Sequence, residues 1–138
     1  LKMNVAKINA LQDLSKEYSF HIITSTNTNT ARDFCEANKI QEHFDEILGR
    51  EIDPSKVVKF KMLFDKYNLK PEELIFVTDT VGDIREAKEV GIKTIVAVAD
   101  GYQDKEYLQT AQPTYLIDSI LDLKGVLSTS LWSFKLEK

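Results

Sequence analysis

The chain has 138 residues, of which 43% are hydrophobic and 29% are charged, and this length and composition predict one globular domain. The net charge of −4 argues against a nucleic-acid partner, because binding a phosphate backbone needs a basic face. The single cysteine, Cys35, excludes an intrachain disulfide. With no apolar run of about 20 residues and no visible signal peptide, we expect no membrane contact and a cytoplasmic location.

Helices and strands are predicted to alternate along the first half of the chain. Apolar residues recur at helical spacing from Val5 to Leu14, and a β-branched and aromatic run at 20–24 indicates a buried strand. In chain order, the predicted elements are a helix over residues 4–17, a strand over 20–24, a helix over 30–38, a short strand over 44–49 and a helix that Asp53 caps before Pro54.

The alternation continues in the second half, which predicts a Rossmann-like three-layer α/β sandwich with a mainly parallel sheet. The predicted elements are a strand over 74–78, a helix closed by Gly91, a strand over 93–98, a short strand over 115–117 and a helix over 120–127. Residues 1–127 are the expected core domain. Residues 128–138 are a tail whose apolar and polar residues alternate, as in an edge strand. No glycine-rich nucleotide-binding motif is present.

Two carboxylates, Asp79 and Asp83, follow the strand at 74–78 in the pattern D-x-x-x-D. Ligands bind at the carboxyl ends of strands in open α/β sheets, and two acids placed there repel each other unless a cation joins them. Mg²⁺ favours one or two carboxylates together with phosphate oxygens. We therefore predict that Asp79 and Asp83 are metal ligands. A structural alternative for Asp83 is a helix N-cap, paired with Glu86 in a capping box.

Hydroxyl and ammonium groups are predicted near the same edge of the sheet. Thr24 and Ser25 close the strand at 20–24, and Lys56 and Lys59 lie on the helix that leads to the strand at 74–78. Hydroxyl donors, a lysine and a metal-binding acid pair together make a phosphoryl-binding site. The structural alternatives are that the hydroxyls form turns and that the lysines are merely solvated.

On the basis of these residues, the chain resembles the haloacid dehalogenase-like (HAD) hydrolase superfamily over about residues 5–125. Residues 20–25 are similar to the second motif of that family, with Thr24 or Ser25 as its hydroxyl, and Lys56 or Lys59 to the third-motif lysine. Residues 77–84 resemble the fourth motif, V-G-D-T-x-x-D-I, although Thr78 replaces the usual glycine. The resemblance implies a Mg²⁺-dependent phosphohydrolase that acts on small phosphorylated metabolites.

The first motif of the family, D-x-D-x-[TV], which carries the nucleophilic aspartate, is missing from this chain. Two explanations stay open. The sequence is a fragment of a complete phosphatase, which a start at Leu1 favours, or it is a degenerate domain that binds or assembles without catalysis. In either case we expect little or no turnover from the chain as given, because the covalent route needs a nucleophile.

The resemblance also places the nucleophile strand at the centre of the sheet, between the strands at 20–24 and 74–78. Without it, we expect those two strands to pair directly, because unpaired backbone groups are costly, with the strand at 93–98 on the far side of the latter. If the gap stays open instead, we expect the chain to associate with a second copy.

Overall fold

The computed structural model describes residues 3–101 and 103–128. Its helices are α1 (Val5–Leu14), α2 (Thr28–Ala37), α3 (Lys56–Tyr67), α4 (Val81–Glu89) and α5 (Lys105–Gln109). Its strands are β1 (Phe20–Ile23), β2 (Phe44–Leu48), β3 (Ile75–Thr78), β4 (Thr94–Val98) and β5 (Tyr115–Ile117). Three short 3₁₀ turns and a terminal helical stretch over residues 123–128 complete the described part. Every predicted strand is present, whereas α5 was not predicted, because five residues are too few for a helical period to show.

The strands form two parallel sheets, and this arrangement confirms the α/β fold class. β1 pairs with β2 in one sheet, and the order β3-β4-β5 makes the other. The predicted position of β4 beside β3 is confirmed. The predicted direct pairing of β1 with β3 is wrong, since no backbone ladder joins the two sheets within the described residues.

Two hydrophobic clusters give the two sheets a shared core. The cluster around Phe60 and Ile84 packs against both Ile23 of β1 and Phe76 of β3. The cluster that contains Leu14 packs against both Phe20 of β1 and Ile75 of β3. The two sheets are therefore joined by packed side chains and not by a backbone ladder within the described residues.

Helices α3 and α4 begin at residues other than those predicted. Ser55, and not Asp53, is the N-cap of α3, because Asp53 Oδ1 accepts a hydrogen bond from the Ser55 amide and so places Ser55 at the cap. Thr80, and not Asp83, is the N-cap of α4, and its Oγ1 accepts from the Asp83 amide at 3.2 Å. The structural alternative of a capping box between Asp83 and Glu86 is therefore wrong.

The remaining local predictions concern burial and the tail. Cys35 is 1% exposed and belongs to the core, as expected for a structural cysteine. The predicted tail lies outside the described residues apart from residue 128. Among the helices of the described ranges, none has the length and apolar character needed to cross a membrane.

Candidate functional site

Lys56 joins the end of strand β1 to the start of helix α4. Its Nζ donates to Ser25 Oγ at 2.9 Å and lies 3.0 Å from Asp83 Oδ1. Lys56 occupies the first position of α3, where its own backbone amide donates to Glu86 Oε2 at 3.1 Å. The lysine is therefore fixed at both its backbone and its ammonium group.

Asp83 has both carboxylate oxygens engaged. One oxygen faces Lys56 Nζ, and the other accepts from Thr78 Oγ1 at 2.7 Å. Thr78 closes strand β3 and is 8% exposed. The threonine that departs from the glycine of the family motif thus supplies a hydrogen bond to Asp83. A bidentate hold on Asp83 by protein groups leaves it less available to a metal than a free carboxylate.

Asp79 differs from Asp83 in its surroundings. It is half-buried between the end of β3 and the start of α4, and its carboxylate makes no hydrogen bond or ion pair with the part of the chain that the structure describes. The loop after β4 lies directly against it. A Cβ added at Gly101 would come within 2.4 Å of Asp79 Oδ2. Asp79 therefore offers a carboxylate that no group of the described residues neutralises.

Thr24 and Lys59 form a second polar contact. Lys59 is fully buried, and its Nζ donates to the Thr24 carbonyl at 2.8 Å and to the Gly49 carbonyl at 3.4 Å. Burial, followed by the positive charge of Lys56, lowers the pKa of Lys59. The Thr24 hydroxyl accepts from the Thr26 amide at 3.0 Å in a local turn.

The sequence left open the choice between Thr24 and Ser25 and the choice between Lys56 and Lys59, and the structure gives the two members of each pair different contacts. Lys56 contacts both Ser25 and Asp83, whereas Lys59 donates to the backbone carbonyls of Thr24 and Gly49 at the ends of β1 and β2. The alternative that the two lysines are merely solvated is wrong, because they are 6% and 0% exposed. The turn alternative describes the Thr24 hydroxyl correctly.

Glu86, Gln103 and Gly101 were not predicted to take part. Glu86 accepts from the first amide of α3, and Gln103 Oε1 accepts from the Val81 amide at 2.7 Å. These contacts join distant parts of the chain, so no local pattern could have indicated them. Only the glycine at position 101 carries a sequence signal, because close approach of the backbone to another group favours glycine.

The residues of this edge fit a divalent cation with few protein ligands. Within residues 3–101 and 103–128, no group of three or more histidine, cysteine, aspartate or glutamate side chains is arranged to hold a metal ion. Mg²⁺ nevertheless binds through one or two carboxylates, with waters and phosphate oxygens completing its octahedron. The carboxylate of Asp79, which has no partner among the described residues, suits that mode of binding.

Comparison with known proteins identifies the family. A family model described as haloacid dehalogenase-like hydrolase matches residues 5–97. The chain belongs to the haloacid dehalogenase-like hydrolase family. This assignment confirms the resemblance that was based on residues 20–25, on the lysines of α3 and on residues 77–84.

Curated relatives of this HAD-family chain carry phosphatase names. The chain is 30% identical over 124 residues to pyrophosphatase PpaX from Bacillus mycoides, covering 86% of this chain and 56% of the relative. It is 24% identical over 116 residues to phosphoglycolate phosphatase from Vibrio vulnificus, covering 82% and 50%. The chain therefore spans about half the length of the curated relatives it matches.

Solved structures agree with the family assignment. A haloacid dehalogenase-like family hydrolase from Streptococcus pneumoniae matches with a TM-score of 0.79 at 29% identity, covering 87% of this chain and 57% of that protein. This likeness, together with the parallel pairing within each sheet, confirms a partial Rossmann-like core.

Proposed function

We propose that this chain provides the phosphate-binding and metal-binding part of a Mg²⁺-dependent phosphatase. The observation that carries the proposal is the position of Lys56 Nζ, which lies within 3.0 Å of both Ser25 and Asp83 at the carboxyl ends of β1 and β3. Ser25 and Asp83 come from two different strand ends and both contact this nearly buried ammonium, while Asp79 directly follows β3. Such strand ends are where an α/β sheet binds its ligand.

Each of these residues has a separate role in the proposed reaction. The hydroxyl of Ser25 donates to a phosphoryl oxygen, and Lys56 neutralises the charge on that group. Asp83 is the second predicted metal ligand. Its contacts support a further role, which is to fix the position of the Lys56 ammonium group. Asp79 is the first metal ligand. When bound there, Mg²⁺ would neutralise phosphoryl charge.

The nucleophile has to come from another strand. The printed sequence contains no D-x-D-x-[TV] motif, and β1 and β3 do not pair with each other in the described part of the chain. We propose that a strand bearing the nucleophilic aspartate occupies the position between them in the active protein. The present chain should therefore show little or no turnover. It retains groups that position the phosphate and stabilise its charge, but the covalent route needs a nucleophile.

The proposed substrate class is a small phosphorylated metabolite in the cytoplasm. The names of the relatives, phosphoglycolate phosphatase and pyrophosphatase PpaX, support a phosphate ester or anhydride and do not favour one compound over another. The net charge of −4 supports the proposal that nucleic acid is not a partner.

Titration of the ¹⁵N-labelled chain with inorganic phosphate in the presence of Mg²⁺ tests the proposal. We expect saturable shifts at the amides of Ser25 and Asp79. Lys56→Met should weaken phosphate binding about tenfold, because it removes the cation that faces the anion. Lys105→Met is the matched control, since Lys105 pairs with the exposed Asp118 in an ion pair that faces solvent. Equal phosphate affinity in Lys56→Met and wild type would contradict the proposal.

A non-enzymatic role in binding or assembly is the second candidate function. The observation that favours it is the lack of a backbone partner for the facing edges of β1 and β3 within the described residues. Unpaired strand edges bind other strands. We therefore also propose that the isolated chain self-associates through this incomplete sheet.

A further inference from the structure

Gly101 and Gln103, which follow strand β4, contact the turn that carries Asp79. Gly101 touches the carboxylate of Asp79 closely enough that a Cβ there would lie 2.4 Å from Oδ2. Two residues further on, Gln103 Oε1 accepts from the Val81 amide at 2.7 Å. The turn from Asp79 to Val81 is thus held by a segment distant from it in sequence.

The bond from Gln103 serves the first amide of helix α4, as the carboxylates of Glu51 and Glu86 serve the first amides of α2 and α3. Thr80 already caps this helix locally, with its Oγ1 accepting from the Asp83 amide. The other described α-helices likewise begin at a local cap, namely Asn4, Asn27, Ser55 and Asp104. Gln103 therefore provides a second, long-range acceptor at a helix start that has its own cap.

The loop that carries Gln103 is itself anchored at both ends. Asp100 Oδ2 lies 3.0 Å from Lys7 Nζ of helix α1, and Asp104 accepts from the Tyr107 amide at 2.9 Å as the cap of α5. A side chain that projects from an anchored loop fixes the group it bonds, whereas one from a free loop would follow that group. The anchoring allows Gln103 to set the position of the Val81 amide.

We infer that Gln103 is a positioning residue that holds the Asp79–Val81 turn in the conformation that binds a divalent cation. The inference rests on the proposed metal role of Asp79. The hydrogen bond fixes Val81, the first residue of α4, while Gly101 packs against the carboxylate itself, so that Asp79 is confined between them. Groups that orient a metal ligand raise metal affinity because the ligand is ordered before the metal binds.

The test is a Mg²⁺ titration of the full chain, followed by ¹H–¹⁵N shifts of Asp79 and Val81. Gln103→Ala should weaken Mg²⁺ binding about tenfold, the lower end of the effect of losing an outer-shell partner. The amide proton of Val81 should also shift upfield. Gln103→Glu keeps an acceptor oxygen and should restore both the affinity and the Val81 shift. Gln109→Ala, on the exposed end of α5, is the matched control and should behave as wild type.

The outcomes separate this inference from the proposed metal site. If Asp79→Asn abolishes Mg²⁺ binding while Gln103→Ala leaves it unchanged, the metal site stands and the role of Gln103 is refuted. If wild type does not bind Mg²⁺, or Asp79→Asn binds it as well as wild type, the metal site and the inference both fail. Loss of affinity in Gln103→Ala with rescue by Gln103→Glu, at an unchanged melting temperature, would support the positioning role.

Discussion

Lys56 Nζ at the start of α3 lies 3.0 Å from Asp83 Oδ1 in the first turn of α4, with side chains that are only 8% and 19% exposed. The contact joins two helices, and the Ser25 hydroxyl at the end of β1 shares the same ammonium. Because this ion pair is largely shielded from water, both groups have lost much of their hydration. Its contribution to the free energy of unfolding therefore depends on both partners being present.

Removing Lys56 should therefore destabilise the chain measurably. We expect Lys56→Met to lower the free energy of unfolding by about 2 kcal/mol, because Asp83 would keep a half-buried charge with one donor fewer. Lys105→Met, which breaks a pair whose side chains are 55% and 75% exposed, should change it by less than about 0.5 kcal/mol. Urea unfolding monitored by circular dichroism measures both. If both variants decreased the free energy of unfolding by similar amounts, burial of the Lys56–Asp83 pair would not increase its contribution to stability.

Thr78 should be energetically coupled to Asp83 through the 2.7 Å hydrogen bond from its hydroxyl. In a double-mutant cycle of Thr78→Val with Asp83→Ala, we expect a coupling of about 1.5 kcal/mol, as for a hydrogen bond to a charged group. The cycle of Thr78→Val with Asp118→Ala is the control and should give a coupling near zero. If the first cycle gave none either, the hydroxyl of Thr78 would have no role in holding Asp83.

The free energy of unfolding should decrease as the pH is lowered, because of His21. Burial lowers the pKa of His21 below its ordinary value, and its Nδ1 has no hydrogen-bond partner among the described residues. Because the unfolded state then binds the proton more readily, the stabilising contribution is present above a pH of about 6.5 and is lost as the pH falls through the folded pKa.

A variant isolates this effect. His21→Phe keeps a ring against Tyr67, whose centroid lies 4.9 Å from that of His21, and removes the titrating group. We expect the slope of unfolding free energy against pH between about 7.5 and 5.5 to be shallower in His21→Phe than in wild type, since carboxylates titrate mostly below this window. Identical slopes would assign the pH dependence to other groups.

Self-association of the isolated chain is expected because β1 and β3 each have one edge that pairs with no strand of the described residues. Sedimentation velocity should show a weight-average mass that rises with concentration. An excess of a short apolar peptide with alternating β-branched residues should compete for the edges and lower that mass. A chain that remains monomeric at all accessible concentrations would contradict the prediction.

The sequence predicts the elements of this fold better than their pairing. The strand at Thr94–Val98 reads as a buried apolar run, and it is indeed covered on both faces, with Val96 fully buried. The direct pairing of β1 with β3 was predicted wrongly, because strand pairing is a relation between segments that lie far apart in the chain. No short segment contains that information.

In the candidate site, too, the sequence predicts some features and only the structure shows the others. The acids at Asp79 and Asp83 follow a strand in an informative spacing, so their position at the edge of the sheet was predictable. Their different environments were not, because Lys56 reaches Asp83 from another helix and Gln103 reaches the Asp79 turn from another loop. The sequence offered Asp83 as an N-cap of α4, whereas the structure has Thr80 in that position and bonds the Asp83 carboxylate to Thr78 and Lys56.

The most direct test of the proposed site is the dependence of phosphate affinity on Mg²⁺. If one site holds both, binding of each must strengthen the other by the same factor. We predict that saturating Mg²⁺ raises the affinity of the chain for inorganic phosphate about tenfold, a typical coupling, and that Asp79→Asn abolishes the increase while Asp118→Asn retains it. A phosphate affinity that is the same with and without Mg²⁺ in the wild-type chain would contradict the account.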